Sequence, residues 1–326
     1  MGSETNLKPK IYITRKLPDP IVTRLSEVCE VKMWDKEEET VPREILEKEI
    51  QDVEGLYCLL TESIDRPLLE LGKNLKIVSN MAVGYNNIDV AAATEKGIMV
   101  TNTPGVLTET TADLTFALLM ATSRRLVEAS DYLSEGKWKT WSPMQLTGQD
   151  IYGATLGIFG LGRIGEALAR RARGFDMKVY YHNRSRKLEV EEQLGIEYVD
   201  KGKLLRESDF ICVLIPFTPE TKNYIGAAEL SLMKPTAVLV NTARGGIVDE
   251  EALYHALKNG DIWGAGIDVF EEEPVRTDHP LLSLPNVVAL PHIGSASVNT
   301  RLKMALLAAE NLLQGLQGET PKNLVK

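Results

Sequence analysis

Short apolar runs recur along the chain, separated by stretches with helical spacing. Lys10–Thr14 reads as a strand, and a proline-initiated helix follows near Pro20–Glu27. Glu54–Leu60 and Leu75–Ser79 are two more strand-like runs. A second series begins after residue 150. Ala154–Phe159 reads as a strand and Arg163–Phe175 as a helix. Strands follow at Val179–His182, Phe210–Ile215, Ala237–Asn241, Gly266–Val269 and Val287–Leu290, with helical stretches between most of them. Strands alternating with helices build parallel sheets, so both series predict α/β architecture, the second a doubly wound nucleotide-binding sheet.

Two stretches break this rhythm. Thr108–Leu126 carries Leu114, Phe116, Ala117, Leu118, Leu119, Met120 and Ala121, and is apolar almost all round. Such a helix is buried on several sides, either crossing between domains or packed against a second subunit. Residues 127–152 are polar apart from such residues as Trp138 and Trp141. A last helix near Thr300–Leu313 follows the second sheet and is free to fold back onto the first.

At 326 residues the chain suits two domains. Hydrophobic residues make up 44% and charged residues 25%, enough apolar material for large cores. The net charge of -9 argues against nucleic acid or an anionic membrane as a partner. An anionic substrate would then need a local cationic site. Cys29, Cys58 and Cys212 fit no metal or redox spacing and read as free thiols in a reducing compartment. Residues 1–10 carry no apolar signal core, and no run reaches the roughly 18 apolar residues of a membrane span. A cytoplasmic protein is expected, and no metal site.

Gly160-Leu-Gly-Arg-Ile-Gly165 stands after a strand and opens a helix. Gly160 permits the tight turn, Gly162 lets a pyrophosphate approach the backbone, and Gly165 lets helix and strand pack closely. The helix N-terminus presents free N–H groups to the anion. In such units an acid about 20 residues further on binds the adenosine ribose and favours NAD. This chain has His182-Asn-Arg-Ser-Arg-Lys187 there, with three cations and no carboxylate. Arginine grips a phosphate with a forked pair of donors, so NADP(H) is expected to be preferred, with NAD(H) possible; the bland alternative is a solvated basic turn.

Three residue types stand just past strand ends, where ligands of doubly wound sheets bind. Arg244, followed by Gly245 and Gly246, is placed to hold a carboxylate, or else forms a structural ion pair. His292 is suited to protonate an alkoxide left by hydride addition to a ketone. His255, His279 and His182 sit in a helix, a proline-flanked loop and the adenosine region, and are weaker candidates. A carboxylate paired with His292 would orient the ring and favour the imidazolium, but spacing does not choose among Glu271, Glu272 and Glu273.

Taken together, these motifs resemble the D-isomer-specific 2-hydroxyacid dehydrogenase family over nearly the whole chain. The likeness rests on the glycine loop, Pro216-Phe-Thr-Pro-Glu-Thr221, Asn241-Thr-Ala-Arg-Gly-Gly-Ile-Val-Asp249, Gly266-Ile-Asp-Val-Phe-Glu-Glu-Glu-Pro274 and Leu290-Pro-His-Ile-Gly294. Within the family the chain is most similar to the glyoxylate/hydroxypyruvate reductases, through Ala82-Val-Gly-Tyr-Asn-Asn-Ile-Asp89, Val106-Leu-Thr-Glu-Thr-Thr-Ala-Asp113 and Trp138-Lys-Thr-Trp-Ser-Pro143. The resemblance implies Arg244, Glu273 and His292 as the catalytic set. It implies a substrate carboxylate met by Arg244 and by the Val83 and Gly84 amides, beside His292, with Trp141 a lid residue reaching a partner subunit. It implies a cofactor against Gly160, Leu161, Gly162, Arg163, Ile164, Gly165, Asn183, Arg184, Ser185, Arg186, Pro216, Thr242, Ala243, Arg244, Asp268, His292 and Gly294. It also implies a split, flavodoxin-like substrate domain (1–104 and 295–326), an inserted Rossmann coenzyme domain (105–294), a cleft between them and a homodimer.

The activity so implied is reduction of small 2-oxo acids by NADPH, glyoxylate and hydroxypyruvate giving glycolate and D-glycerate. Two readings compete. NAD-dependent D-2-hydroxyacid oxidation, of the phosphoglycerate type, conflicts with the missing acid near Asn183. A nucleotide-sensing corepressor would carry docking extensions that are scarce here.

Overall fold

The structure, a computed structural model, describes residues 8–325, so the N-terminal stretch that carries no apolar signal core lies largely outside the described residues. In chain order the elements are β1 (Lys10–Ile13), α1 (Asp19–Val28), β2 (Glu30–Met33), α2 (Arg43–Glu49), β3 (Gly55–Cys58), α3 (Arg66–Leu71), β4 (Ile77–Asn80), α4 (Val90–Glu95), β5 (Met99–Thr101), α5 (Thr108–Ser123), α6 (Leu126–Ser134), β6 (Thr155–Phe159), α7 (Arg163–Ala172), β7 (Lys178–His182), α8 (Leu188–Leu194), β8 (Glu197–Tyr198), α9 (Lys201–Glu207), β9 (Phe210–Val213), α10 (Ala227–Leu230), β10 (Val238–Asn241), α11 (Glu250–Asn259), β11 (Gly264–Ile267), β12 (Val287–Ala289) and α12 (Val298–Leu316). Two compact units result, Met1–Leu107 with Ser297–Lys326, and Thr108–Ala296.

The first unit holds a five-stranded sheet in the order β2-β1-β3-β4-β5, every named pair parallel. This is a flavodoxin-like order, with its switch point between β1 and β3. β3 and β4 are buried along their whole length, as strands covered on both faces must be. The final helix, α12, closes one face. Leu312, Ala308 and Ala305 are buried, and the Tyr57 hydroxyl donates to the Ala305 carbonyl at 3.1 Å while Ser79 Oγ donates to the Ala308 carbonyl at 2.7 Å. The possibility that the last helix returns to the first sheet is what the chain does.

The second unit holds seven parallel strands in the order β12-β11-β10-β9-β6-β7-β8. The direction of winding reverses between β6 and β9, the arrangement of a Rossmann sheet. Helix α5 packs inside this unit on α7, β10 and β11, burying Phe116, Leu118 and Leu119. It is not buried all round, because Ala117 is exposed and Leu114, Met120 and Ala121 are half-buried. The helix also ends earlier than its apolar run. Arg125 turns left-handed (φ 53°) and α6 starts anew at Leu126, running on into the stretch that reads as polar. Similarly, α7 ends at Ala172 and Arg173–Phe175 forms a 3-10 turn.

Leu312 is wholly buried between α12 and the first sheet. Leu312→Ala is therefore expected to cost about 2–5 kcal/mol, read as a lower midpoint in urea unfolding.

Candidate active site

Because all seven strands of the second unit run parallel, their carboxyl ends lie on one edge of the sheet. The glycine loop follows β6, residues Asn183–Arg186 follow β7, Pro216 follows β9, Thr242–Arg244 follow β10, Asp268 follows β11 and His292 follows β12.

At the glycine loop, Gly160 has φ +100° and a side chain there would come within 2.7 Å of the Leu214 backbone. A side chain at Gly165 would meet the Gly160 carbonyl at 2.4 Å, whereas one at Gly162 would meet nothing within 4 Å. The middle glycine thus opens onto free space at a helix N-terminus that no side chain caps. Those residues fit a dinucleotide diphosphate. One amide of the loop is already engaged: Leu161 N–H donates to Asn183 Oδ1 at 2.7 Å, and the Leu161 side chain is buried.

Beyond β7, Arg184 and Ser185 are exposed. Arg186 is committed to Glu191, with Nε and Nη2 both donating to its carboxylate, and Lys187 pairs with Glu166 at 2.7 Å. The Arg186 guanidinium and the Tyr181 hydroxyl hold the Glu191 carboxyl down at about 2. The turn is therefore a built cluster, with part of its positive charge balanced from within.

The loops after β10 and β11 interlock. Asn241 organises the first: its Nδ2 donates to the Arg244 carbonyl and its Oδ1 accepts from Ala243 N–H. A side chain at Gly245 would sit 1.8 Å from the Phe270 carbonyl oxygen, so only glycine lets the two loops meet. Arg244 is half-buried, and burial pulls its pKa down while the Glu273 charge pushes back. A guanidinium stays protonated regardless. Thr242 Oγ1 lies 2.7 Å from Thr115 Oγ1 of α5, a buried pair that the apolar pattern of α5 did not signal.

His292 and Glu273 form the centre of the site. Glu273 Oε2 lies 2.7 Å from His292 Nδ1, and Glu273 Oε1 accepts from Phe270 N–H at 2.9 Å. Burial pushes the Glu273 pKa up, but the hydrogen bond and charge of His292, the Phe270 amide and Arg244 outweigh it and leave it below the usual value. The carboxylate accepts at Nδ1, which leaves Nε2 as the nitrogen open to exchange a proton. Glu271 and Glu272 are not so placed; the Glu271 side chain turns to Lys222.

His292 has φ 54°, uncommon for a residue with a side chain. Asp268 holds it there. The Asp268 carbonyl accepts from His292 N–H at 2.9 Å, while Oδ1 and Oδ2 accept from the Ile293 and Gly294 amides, each at 2.8 Å. Asp268 is 1% exposed, and burial raises its pKa although both amides and the His292 charge pull it down. The family resemblance implies Asp268 at the cofactor, and its hold on the histidine turn is visible only in the structure.

Val83 and Gly84 lie in the first unit, just past the carboxyl end of β4. Trp141 is 75% exposed on the loop after α6. Among the described residues no group of three His, Cys, Asp or Glu is arranged to hold a metal, and no helix is long and apolar enough to cross a membrane. All three cysteines are buried and free.

A family model described as D-isomer specific 2-hydroxyacid dehydrogenase, NAD binding domain, matches residues 116–294. A glyoxylate reductase of Korarchaeum cryptofilum is 52% identical over 320 residues, 98% of this chain and 96% of that protein. A protein of Thermus thermophilus of known crystal structure aligns with a TM-score of 0.91 at 44% identity, covering 97% of this chain and all of that one (100%). The NADPH-dependent glyoxylate/hydroxypyruvate reductase of Sinorhizobium meliloti, solved with NADP and malonate, aligns with a TM-score of 0.85 at 38% identity, covering 98% and 97%.

Asp268→Asn tests the brace. An amide has one acceptor oxygen, so its NH2 must face either the Ile293 or the Gly294 N–H, and an unpaired buried donor costs about 1–3 kcal/mol. With His292 released from its turn, kcat/KM is expected to fall at least about tenfold while the far-UV circular dichroism spectrum is kept.

Proposed function

The chain belongs to the D-isomer specific 2-hydroxyacid dehydrogenase family, and on that premise we propose that it reduces glyoxylate and hydroxypyruvate to glycolate and D-glycerate with NADPH. The observation that carries this reading is the 2.7 Å contact of His292 with Glu273, on the same sheet edge as Arg244 and the open glycine loop. The chain is an oxidoreductase, like its relatives.

The Gly160–Gly165 loop would hold the cofactor diphosphate, Asn183–Arg186 the adenosine end, and Asp268 and Gly294 the nicotinamide end, with Pro216, Thr242 and Ala243 also against the cofactor. A nicotinamide bound there supplies the hydride that adds to a carbonyl carbon. Arg244 orients the substrate through its carboxylate, using the guanidinium fork. His292 Nε2 donates the proton that neutralises the developing alkoxide. Glu273 fixes the ring through Nδ1. The NADPH preference is supported by the lack of an acidic residue from His182 to Lys187, by the exposed Arg184 and Ser185, and by the NADP bound to the Sinorhizobium meliloti reductase. Six large apolar side chains between Leu126 and Met144 are more than 45% exposed, counting Val127, Leu133, Trp138 and Trp141, which supports a homodimer. Free, buried cysteines support a cytoplasmic setting.

The deciding assay follows loss of the reduced-nicotinamide absorbance, with NADPH or NADH against glyoxylate, hydroxypyruvate and pyruvate. Rapid oxidation of NADPH by glyoxylate or hydroxypyruvate is the expected result. Preference for NADH would overturn the reading of Asn183–Arg186. Tight NADPH binding without turnover would favour a nucleotide sensor.

His292→Ala is expected to lower kcat about 100-fold or more, the usual worth of a positioned acid, with NADPH affinity unchanged by fluorescence titration. Replacing Arg184 and Arg186 together by Ala is expected to lower kcat/KM for NADPH by about 10–100-fold, the worth of a hydrogen bond to a charged group, and to leave NADH within a few-fold.

A further inference from the structure

Past the end of β4, three consecutive carbonyls are gripped. The Ala82 carbonyl accepts from Thr103 N–H at 2.8 Å, the Val83 carbonyl from Asn102 Nδ2 at 2.8 Å, and the Gly84 carbonyl from Asn80 Nδ2 at 3.0 Å. All three peptides are trans. In a trans peptide the N–H points opposite to the C=O of the same unit. Holding these carbonyls therefore aims the N–H groups of Val83, Gly84 and Tyr85 away from their holders. None of the three donates a hydrogen bond among the described residues.

We propose that Asn80 and Asn102 are positioning residues, which set the Tyr85 and Gly84 amides respectively and, with the Val83 amide set by the Thr103 backbone, build a three-amide cradle for the substrate carboxylate. The inference rests on the reading of the substrate as a 2-oxo acid. The family resemblance implies two of these amides, Val83 and Gly84; the third, and the two asparagines, come from the structure.

Both asparagines are themselves fixed. Asn80 is wholly buried. The Asn102 carbonyl accepts from Asn311 Nδ2 of α12 at 3.1 Å, and its N–H donates to the Asn323 carbonyl at 3.3 Å. The loop is tied down at its far end too, where Asn87 Nδ2 donates to the Leu59 and Glu62 carbonyls at 3.0 and 2.9 Å. Amides aimed in advance cost little reorganisation when they meet an anion, and bonds from N–H to a carboxylate are the stronger, charge-assisted kind.

The test measures KM for glyoxylate, kcat, NADPH affinity and inhibition by oxamate, an unreactive carboxylate, for wild type, Asn80→Ala and Asn102→Ala. Where an alanine variant fails to fold, the isosteric Asn80→Asp or Asn102→Asp, which removes the donor and keeps the volume, takes its place. The expected result is a rise in KM and in the oxamate inhibition constant of about tenfold, the worth of one charge-assisted hydrogen bond, with a smaller change in kcat and unchanged NADPH affinity. A merely structural role would lower thermal stability and leave KM and oxamate inhibition within twofold, and that result overturns the proposal. Should wild type reduce no 2-oxo acid, the function reading fails separately. Oxamate binding by calorimetry then decides: weaker binding in the variants upholds the cradle, and equal or absent binding in wild type and variants overturns it.

Discussion

His292 is held in a left-handed conformation, and one buried carboxylate is what holds it. Asp268 offers its carbonyl to the His292 amide and its two oxygens to the next two amides, so three successive N–H groups converge on one residue. A non-glycine residue at φ 54° is disfavoured, and such strain persists only where the surroundings over-determine it. Asp268 can do this because its own N–H extends the ladder onto the Asn241 carbonyl, which ties the histidine turn to the end of β10. Arg244, three residues past Asn241, hangs from the same support through Asn241 Nδ2. The catalytic candidates thus share a backbone frame, and none stands on an independent loop.

The two acids beside His292 show why residue type alone underdetermines a site. Glu273 sits below the usual carboxyl range because a cation and an amide face it, whereas burial pushes Asp268 up. Neighbouring carboxylates pushed apart by environment take different roles. Here Glu273 holds the ring through Nδ1, and Asp268 holds the amides of the turn.

Legibility in the sequence follows the range of each interaction. The glycine loop, Arg244 and His292 were readable because each follows a recognisable strand and needs only local geometry. Spacing alone does not choose among Glu271, Glu272 and Glu273, since only the folded loop puts Phe270 N–H on Glu273 and turns Glu271 to Lys222. The basic turn after β7 was readable as charge, but the commitment of Arg186 to Glu191 depends on the start of α8 folding back beneath it. The break between α5 and α6 was missed because nothing in the residue type of Arg125 announces a left-handed turn.

The longest-range dependence is that of the first sheet on α12. Residues more than 200 positions apart meet there through Tyr57 with Ala305, Ser79 with Ala308 and Asn102 with Asn311. A helix that only filled the apolar face would need no such bonds. Buried polar groups must be paired, so each hydroxyl or amide fixes the helix in register as well as in place. The Asn311 bond carries that register to Asn102 and through it to the Val83 carbonyl. The return of the C-terminus to the first unit therefore does more than cover the core, because it sets the direction in which a loop at the strand ends presents its amides.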